Sequence, residues 1–372
     1  MNATTGAVTA SNQLDFGTGI VDGPVLDIGN GWVYVFSSSD GSAACTGGVA
    51  CAAVYQLSTT FAANTAGTKV TVGNSVVLSS FPNPNPMYIG GFDSAYYSSS
   101  TATGNLYVCG NTGAVPTLYG IPFVAGTPGT SAIISSLATA GSTARCSSVT
   151  DIPNPNTTGG PSERLFFSVQ NNALPLCASP TGCLISLLDT AWQPTTSYAV
   201  GQRVLSKNYH VETVITAGTS GALVPAWTST AGLLTIDGSV VWIDEGNVRQ
   251  ALSNVWLPSH TYTSTTFHFI DSNGNIEVAT TLGTSGTSEP AWNTAAGGTT
   301  LDNTVVWTNA GASGVAALAA AGGTSGIIDD NIVAPGTLST SQVYFTTLAD
   351  QTCITSTGTG GCAVQASQTA LQ

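Results

Sequence analysis

Short apolar and aromatic runs, broken by Gly, Ser, Thr, Asn or Pro, recur along the chain with the alternation of β-strands rather than the 3.6-residue period of helices. Gly31 to Phe36 leads through a polar loop holding Cys45 and Cys51 into Ala52 to Leu57. The arrangement returns at Arg164 to Val169, the loop with Cys177 and Cys183, and Leu184 to Leu188. It returns again at Gln342 to Thr346, the loop with Cys353 and Cys362, and Ala363 to Ala366. A fourth member, Asn105 to Cys109 followed by Pro116 to Tyr119, lacks the paired loop. Each reads as two antiparallel strands joined by a short connection. Ahead of each lies a shorter strand with an acid: Asp27, Asp93, Asp151 and Asp329. The one helix candidate is Ser313 to Ala321, short and flanked by glycines.

A stronger repeat lies inside this series. Trp192, Tyr198, Gly218-Thr219-Ser220-Gly221, Pro225-Ala226-Trp227, Asp237 and Trp242 return as Trp256, Tyr262, Gly283-Thr284-Ser285-Gly286, Pro290-Ala291-Trp292, Asp302 and Trp307. Six of the seven tryptophans belong to this duplication, so each copy should carry its own aromatic cluster. Setting the duplicated block aside leaves units of roughly 60 residues with three or four strands each, the pattern of propeller blades. The expected fold is all-β: a propeller-like array of antiparallel blades with two small β modules inserted in tandem between two blades. The expected divisions are residues 1–190 for the first blades, 191–247 and 248–311 for the modules, and 312–372 for the final blade. Val8 to Phe16 could supply a missing outer strand to that last blade, closing a ring, or either end could pair with a neighbouring molecule.

Composition narrows the setting. Charged residues are 7% of the chain, against roughly 25% for ordinary soluble domains, so hydroxyls and amides must wet the surface. Abundant Val, Ile, Thr, Tyr, Phe and Trp argue against disorder. The net charge of −13 includes only six basic residues, Lys69, Arg145, Arg164, Arg203, Lys207 and Arg249. No basic patch forms from them, which excludes nucleic acid as a partner. The eight cysteines fall into three close pairs, Cys45 with Cys51, Cys177 with Cys183 and Cys353 with Cys362, leaving Cys109 and Cys146. None has metal-site spacing, so four structural disulfides and an extracellular or cell-surface location are expected. Asn2 to Ala10 has neither a basic nor a long apolar region, so any presequence is expected to have been removed. The longest apolar run, Val315 to Ala321, is too short to cross a bilayer.

Within the duplicated block, Ala191-Trp192-x-Pro194-x-x-x-Tyr198-x-x-Gly201-x-x-Val204, with Pro225 and Trp227 beyond, resembles the small tryptophan-and-tyrosine modules that bind chitin or cellulose in secreted bacterial enzymes. The second copy keeps Trp256, Pro258 and Tyr262 but has Thr265 in place of the glycine. The resemblance implies sugar stacking on exposed aromatics, with Trp192, Tyr198, Trp227, Trp256, Tyr262 and Trp292 as the candidates. Trp242 and Trp307 follow pairs of valines and read as strand core. The flanking units resemble, at the level of architecture, propeller-like repeats of secreted environmental-bacterial proteins.

Other motifs have plain readings. Asp271-Ser272-Asn273-Gly274-Asn275-Ile276-Glu277 invites a calcium reading, but Asn273-Gly274 between strand-like runs is a stronger hairpin signal. Asp329 and Asp330 would point to opposite faces of a strand, so they would not serve one substrate as a pair. The three histidines, His210, His260 and His268, are not accompanied by a nucleophile elbow. Asn156-Thr157-Thr158 matches the N-glycosylation pattern, as does Asn2-Ala3-Thr4. No enzyme activity, cofactor or metal is expected. The expected function is a structural or adhesive protein that assembles with copies of itself into a filament or lattice; the alternative is a carbohydrate-binding protein with two tandem sites for polysaccharide, and a glycan-cleaving enzyme stands third.

Overall fold

The computed structural model describes residues 6, 8–17, 19–75, 86–113, 115–138, 145–154, 162–170, 182–330, 341–353 and 359–368. The candidate glycosylation sites at Asn2 and Asn156, and Cys177, lie outside the described residues. The chain forms two compact units, one of residues 1–151 and 167–172, the other of 152–166 and 173–372. Antiparallel sheets build both.

In the first unit, β1 (Val25–Asp27), β2 (Trp32–Ser37), β3 (Cys51–Ser58) and β4 (Thr68–Asn74) pair in sequence order. Next, β5 (Gly91–Phe92), β6 (Gly104–Thr112) and β7 (Val115–Val124) continue the pattern, with β8 (Thr127–Pro128) and β9 (Ala132–Ser136) both on β7. The groups join through a parallel bridge between Gly73 and Asn111. A Cβ at Gly73 would lie 1.7 Å from the Asn111 carbonyl oxygen, so only glycine permits the approach.

The core between these sheets takes Tyr34, Phe36, Val54 and Val72 from one and Phe92, Leu106, Val108, Ile121 and Phe123 from the other. A short helix that the sequence did not announce, α1 (Ser94–Ser98), is capped by Asp93 and adds Tyr96, whose ring stacks on Phe92 at 4.0 Å. Tyr96 donates its hydroxyl to Asp27 at 2.7 Å, while Asp93 accepts the backbone and side-chain N–H of Asn105 at 2.8 Å. Two of the recurrent acids therefore tie local structure together.

Residues 10–16 run in irregular backbone against the first sheet, where Leu14 packs with Ala53, Tyr55 and Leu57. The amide of Asn12 bonds to Thr65 and that of Phe16 to Ser39. The strand expected at Val8 to Phe16, as a partner for the final sheet, is not formed by its described residues.

The third sheet starts with β10 (Thr150–Asn154), β11 (Ser162–Val169) and β12 (Cys183–Leu188). The duplicated block follows. Its first copy folds as β13 (Ser197–Tyr198), β14 (Arg203–Leu205), β15 (Val211–Thr216), β16 (Gly218–Thr219), β17 (Leu234–Asp237) and β18 (Val240–Gly246), then the capped turn α2 (Val248–Ala251). The second copy forms β19 (Thr261–Tyr262), β20 (His268–Ile270), β21 (Asn275–Thr281), β22 (Gly283–Thr284), β23 (Thr299–Asp302) and β24 (Val305–Ala312). Strand orders β14-β15-β18-β17 and β20-β21-β24-β23 match, as do the two-stranded ribbons β13-β16 and β19-β22. The hairpin reading of Asn273-Gly274 holds: β20 and β21 pair around it, with Gly274 at φ +82° and Asp271 accepting the amides of Asn273 and Asn275.

Two expectations are corrected after the block. Ser313 to Ala321 contains a strand, β25 (Val315–Ala319), rather than a helix. It pairs antiparallel with β12, from Leu187 opposite Val315 to Cys183 opposite Ala319, and completes the order β10-β11-β12-β25. An apolar Val-Ala-Leu run has no fixed local preference, and an available sheet edge decided its state. The duplicated block is consequently set inside one sheet, between its third and fourth strands, rather than between two units.

A last sheet, β26 (Ile328–Asp330), β27 (Gln342–Thr346) and β30 (Ala363–Ser367), follows, with a small ribbon of β28 (Gln351–Thr352) and β29 (Thr359–Gly360) in its loop. Its inner face, Val343 and Phe345, packs with Ile152, Phe166, Leu184 and Ile327. Disulfides join Cys45 to Cys51, Cys109 to Cys146 and Cys353 to Cys362, the expected pairings, and Cys183 is also disulfide-bonded. Among the described residues no helix is long and apolar enough to cross a membrane.

Candidate functional site

The chemistry concentrates in the duplicated block. In each copy one aspartate gathers three donors. Asp237 accepts the indole N–H of Trp192 at 2.7 Å and of Trp242 at 3.3 Å on one oxygen, and the amide of Gly221 at 2.7 Å on the other. Asp302 does the same for Trp256 at 2.8 Å, Trp307 at 3.2 Å and Gly286 at 2.6 Å. Buried Trp N–H groups need such a partner, which explains why one Asp and two Trp travel together through the duplication.

The remaining signature residues also hold the fold. Ser220 and Ser285 each donate to a backbone carbonyl, of Gln193 and Leu257, and accept an amide, of Thr196 and His260. The Tyr198 and Tyr262 hydroxyls accept the amides of Gln193 and Leu257 at 2.8 and 3.0 Å. Trp242 and Trp307 are fully buried, as their sequence context implies, and the other aromatics crowd edge-on around them. Of the six candidate sugar-stacking residues, Trp192, Tyr198, Trp227 and Trp256 are half-buried, while Tyr262 and Trp292 are buried. Trp292 is further held by Glu289, which accepts its N–H at 2.6 Å.

The sequence offered Glu277 only as the end of a calcium-like stretch and passed over Glu212; the structure makes them a matched, buried pair. Glu212 and Glu277 occupy the same position in the two copies, near the starts of β15 and β21, and both are fully buried. Burial pushes the Glu212 carboxyl up to about 9, and the negative charge of Asp244, directly opposite on β18, pushes the same way. The Ser206 hydroxyl eases this in part without meeting hydrogen-bond geometry at either carboxyl oxygen. Burial likewise pushes Glu277 up to about 8, with Asp271 adding to it, and neither of its oxygens has a hydrogen-bond partner. Both groups therefore stay protonated at neutral pH. The available signal was a glutamate repeated within an otherwise apolar strand.

The first copy holds a second buried cluster. Asp244 contacts Nδ1 of His210 at 2.9 Å and accepts the Gly246 amide. Glu245 accepts Thr213, the Ser313 hydroxyl at 2.9 Å and the Gly314 amide at 3.1 Å. Burial raises the Glu245 pKa, while Thr213, the Arg203 charge and Ser313 pull it down. Arg203 donates to the carbonyls of Ala312 and Ser313 at 3.1 and 2.6 Å. Arg203 and Glu245 thus grip the turn that returns the chain to β25, which roots the inserted block in its parent sheet.

The two copies pack on one another with reciprocal contacts. Gly201 of the first lies against Ala296 and Gly311 of the second, while Gly232 of the first lies against Thr266. The matching strand registers make Thr266, rather than the expected Thr265, the counterpart of Gly201. Likewise the counterparts Arg203 and His268 each reach a backbone carbonyl of the other copy, at Ala312 and Glu245. Equivalent residues meeting in both directions indicate an approximate two-fold relation. A Cβ at Gly232 would lie 2.0 Å from the Thr266 carbonyl oxygen, and Gly232 has φ +84°, so the approach requires glycine. Near this contact lies a cavity of about 420 Å³ lined by both copies.

Neither Glu212, Glu277, Asp244 nor Glu245 lines that cavity. No protein-family model, curated protein or solved structure matches the chain.

Proposed function

We propose that this chain is a non-catalytic extracellular protein, structural or adhesive, whose four main sheets are blades of a propeller-like array and which assembles with copies of itself through a sheet edge. The described strands group as β1 to β4, β5 to β9, and β10-β11-β12-β25, each opening on a short strand at or beside one of the recurrent acids Asp27, Asp93 and Asp151 and continuing into two longer strands. The last sheet has three strands, and among the described residues no strand lies beyond β30.

The observation that carries the reading is the exposure of that sheet. The long strands β3, β11 and β12 are buried along nearly their whole length, on both faces. In β27 burial alternates: Val343 and Phe345 are buried, whereas Tyr344 is 37% exposed and its neighbour on β26, Ile328, 68%. An open edge beside an exposed apolar face is a template for a strand from another molecule. The disulfides fit an oxidising compartment, and no cofactor or metal is required.

The test is light scattering and electron microscopy of the purified protein over a wide concentration range, beside the double variant Ala363→Lys and Gln365→Lys. The expected result is concentration-dependent assembly that the variant loses. Monodisperse monomers at high concentration sink the proposal.

A second reading has its own support. The indoles of Trp192 and Trp256 are held rigidly by Asp237 and Asp302 yet remain half-buried rather than buried, and a fixed aromatic face suits sugar stacking. Two such faces in tandem would gain by avidity. Retention on chitin or cellulose, reduced by Trp192→Ala and Trp256→Ala in protein that still melts cooperatively, is the expected result. No retention, or retention indifferent to both, removes this reading.

A further inference from the structure

The cavity between the two copies is lined by pairs of equivalent residues: Val200 with Thr265, Ile215 with Thr280, Gly232 with Gly297, and Ile243 with Thr308. Three of these pairs have diverged in the same sense. Wherever the first copy presents a β-branched hydrocarbon, the second presents threonine, which keeps the branched shape and strand preference and adds a hydroxyl. Leu233 and Leu234 extend the hydrocarbon surface of the first copy, while on the second Asn309 joins the threonines beside Val278, Ala279 and Ala310.

Three features narrow the occupant. No titratable side chain lines the cavity, so a charged ligand would lose its hydration without compensation. No aromatic ring lines it either, so stacking contributes nothing and shape-filling aliphatic contact must dominate. The Thr280 hydroxyl donates to the Val306 carbonyl at 3.2 Å and accepts that of Thr308 at 2.9 Å. Each hydroxyl has one proton and two lone pairs, so both protons are committed and the pair keeps lone pairs that can accept a ligand hydroxyl. Leu233 and Leu234, at 43% and 54% exposure, leave apolar surface in water when the cavity is empty. The volume of about 420 Å³ falls within the range of small-molecule sites.

We infer that the interface between the two copies is a binding site for a small neutral molecule with an aliphatic body and a single hydroxyl, the body lying on Ile215, Leu233 and Ile243 and the hydroxyl donating to the Thr280 and Thr308 pair. The site is separate from the tryptophans and from the β30 edge, so it stands or falls apart from the function proposed above.

The experiment uses the full chain with isoleucine methyls labelled for NMR, titrated with 1-adamantanol, 1-adamantanamine and 1-adamantanecarboxylate. These share one aliphatic body and differ in charge. The expected result is saturable shifts of the Ile215 and Ile243 methyls with the alcohol, and binding at least tenfold weaker for both charged analogues. Replacing the hydroxyls with isosteric methyls, Thr280→Val with Thr308→Val, should weaken the alcohol five- to tenfold. Replacing the hydrocarbon wall with its counterparts, Ile215→Thr with Ile243→Thr, should abolish binding, followed there through the Leu233 methyls. Absence of any shift at millimolar alcohol, equal binding of all three compounds, or an unchanged affinity in the valine variant overturns the inference. The charge comparison is made on the unaltered protein, so the test survives a variant that fails to fold.

Discussion

The two copies of the inserted module share a strand order, an aspartate that collects two indole N–H groups, a serine that bridges two loops and a glutamate buried in the second strand of the sheet. They differ nearly everywhere else that chemistry is possible. The first copy has His210, Asp244 and Glu245 where the second has Asn275, Asn309 and Ala310, and it has aliphatic residues where the second lines the shared cavity with threonine. What stayed alike is what each copy needs to fold alone. Of what diverged, Glu245 grips the turn into the parent sheet and the threonines line the seam between the copies, where the two occupy different surroundings. The comparison separates scaffold from interface within one chain, with no second protein required.

Substitution can test that separation. The largest effect is expected at Glu245, because its loss leaves the buried donors of Thr213, Ser313 and Gly314 without their acceptor and removes the charge nearest Arg203. Glu245→Ala should cost about 3–5 kcal/mol in chemical denaturation, whereas Ala310→Gly, at the equivalent position, should cost about 1 kcal/mol or less. Equal losses would erase the distinction between the copies.

Next come the shared aspartates. Asp237→Ala and Asp302→Ala should each destabilise by about 2–4 kcal/mol, having left two indoles and an amide unsatisfied, and the two losses should agree closely. If one variant were as stable as the parent, that aspartate would not be scaffold.

The smallest effect is in pH dependence. An acid whose folded pKa is raised contributes its full stability below the unfolded value near 4.5, and that contribution declines as pH rises toward the folded value. For Glu277 the decline runs to about pH 8, and for Glu212 to about pH 9. The melting temperature should therefore fall between pH 5 and pH 8. Glu212→Gln should flatten the curve more than Glu277→Gln, by about 2–4 °C for each kcal/mol relieved. General repulsion at a net charge of −13 slopes the same way, so the decisive quantity is parent minus variant. Identical slopes in all three proteins would show that neither glutamate is held neutral.

Strand after strand was legible in the chain itself. The alternating runs at Gly31 to Phe36, Ala52 to Leu57 and Arg164 to Val169 became β2, β3 and β11, and the close cysteine pairs predicted the disulfides of their loops. The aromatic clusters were legible too, because a duplication marks the residues a fold cannot do without. The buried glutamates were not recognised, since polarity alone says nothing of depth. The state of Val315 to Ala319 was hidden for another reason: its partner β12 lies on the far side of the duplicated block.

The sequence by itself determined the class of structure, the repeat and the near pairings, because a strand, a hairpin and a short disulfide loop depend on residues close together in the chain. Only the tertiary structure decided that the block sits inside a sheet, that Arg203 and Glu245 root it there, and that two diverged walls enclose a cavity. Those are meetings of residues far apart in sequence, selected by which edge and which face remained uncovered after local structure had formed.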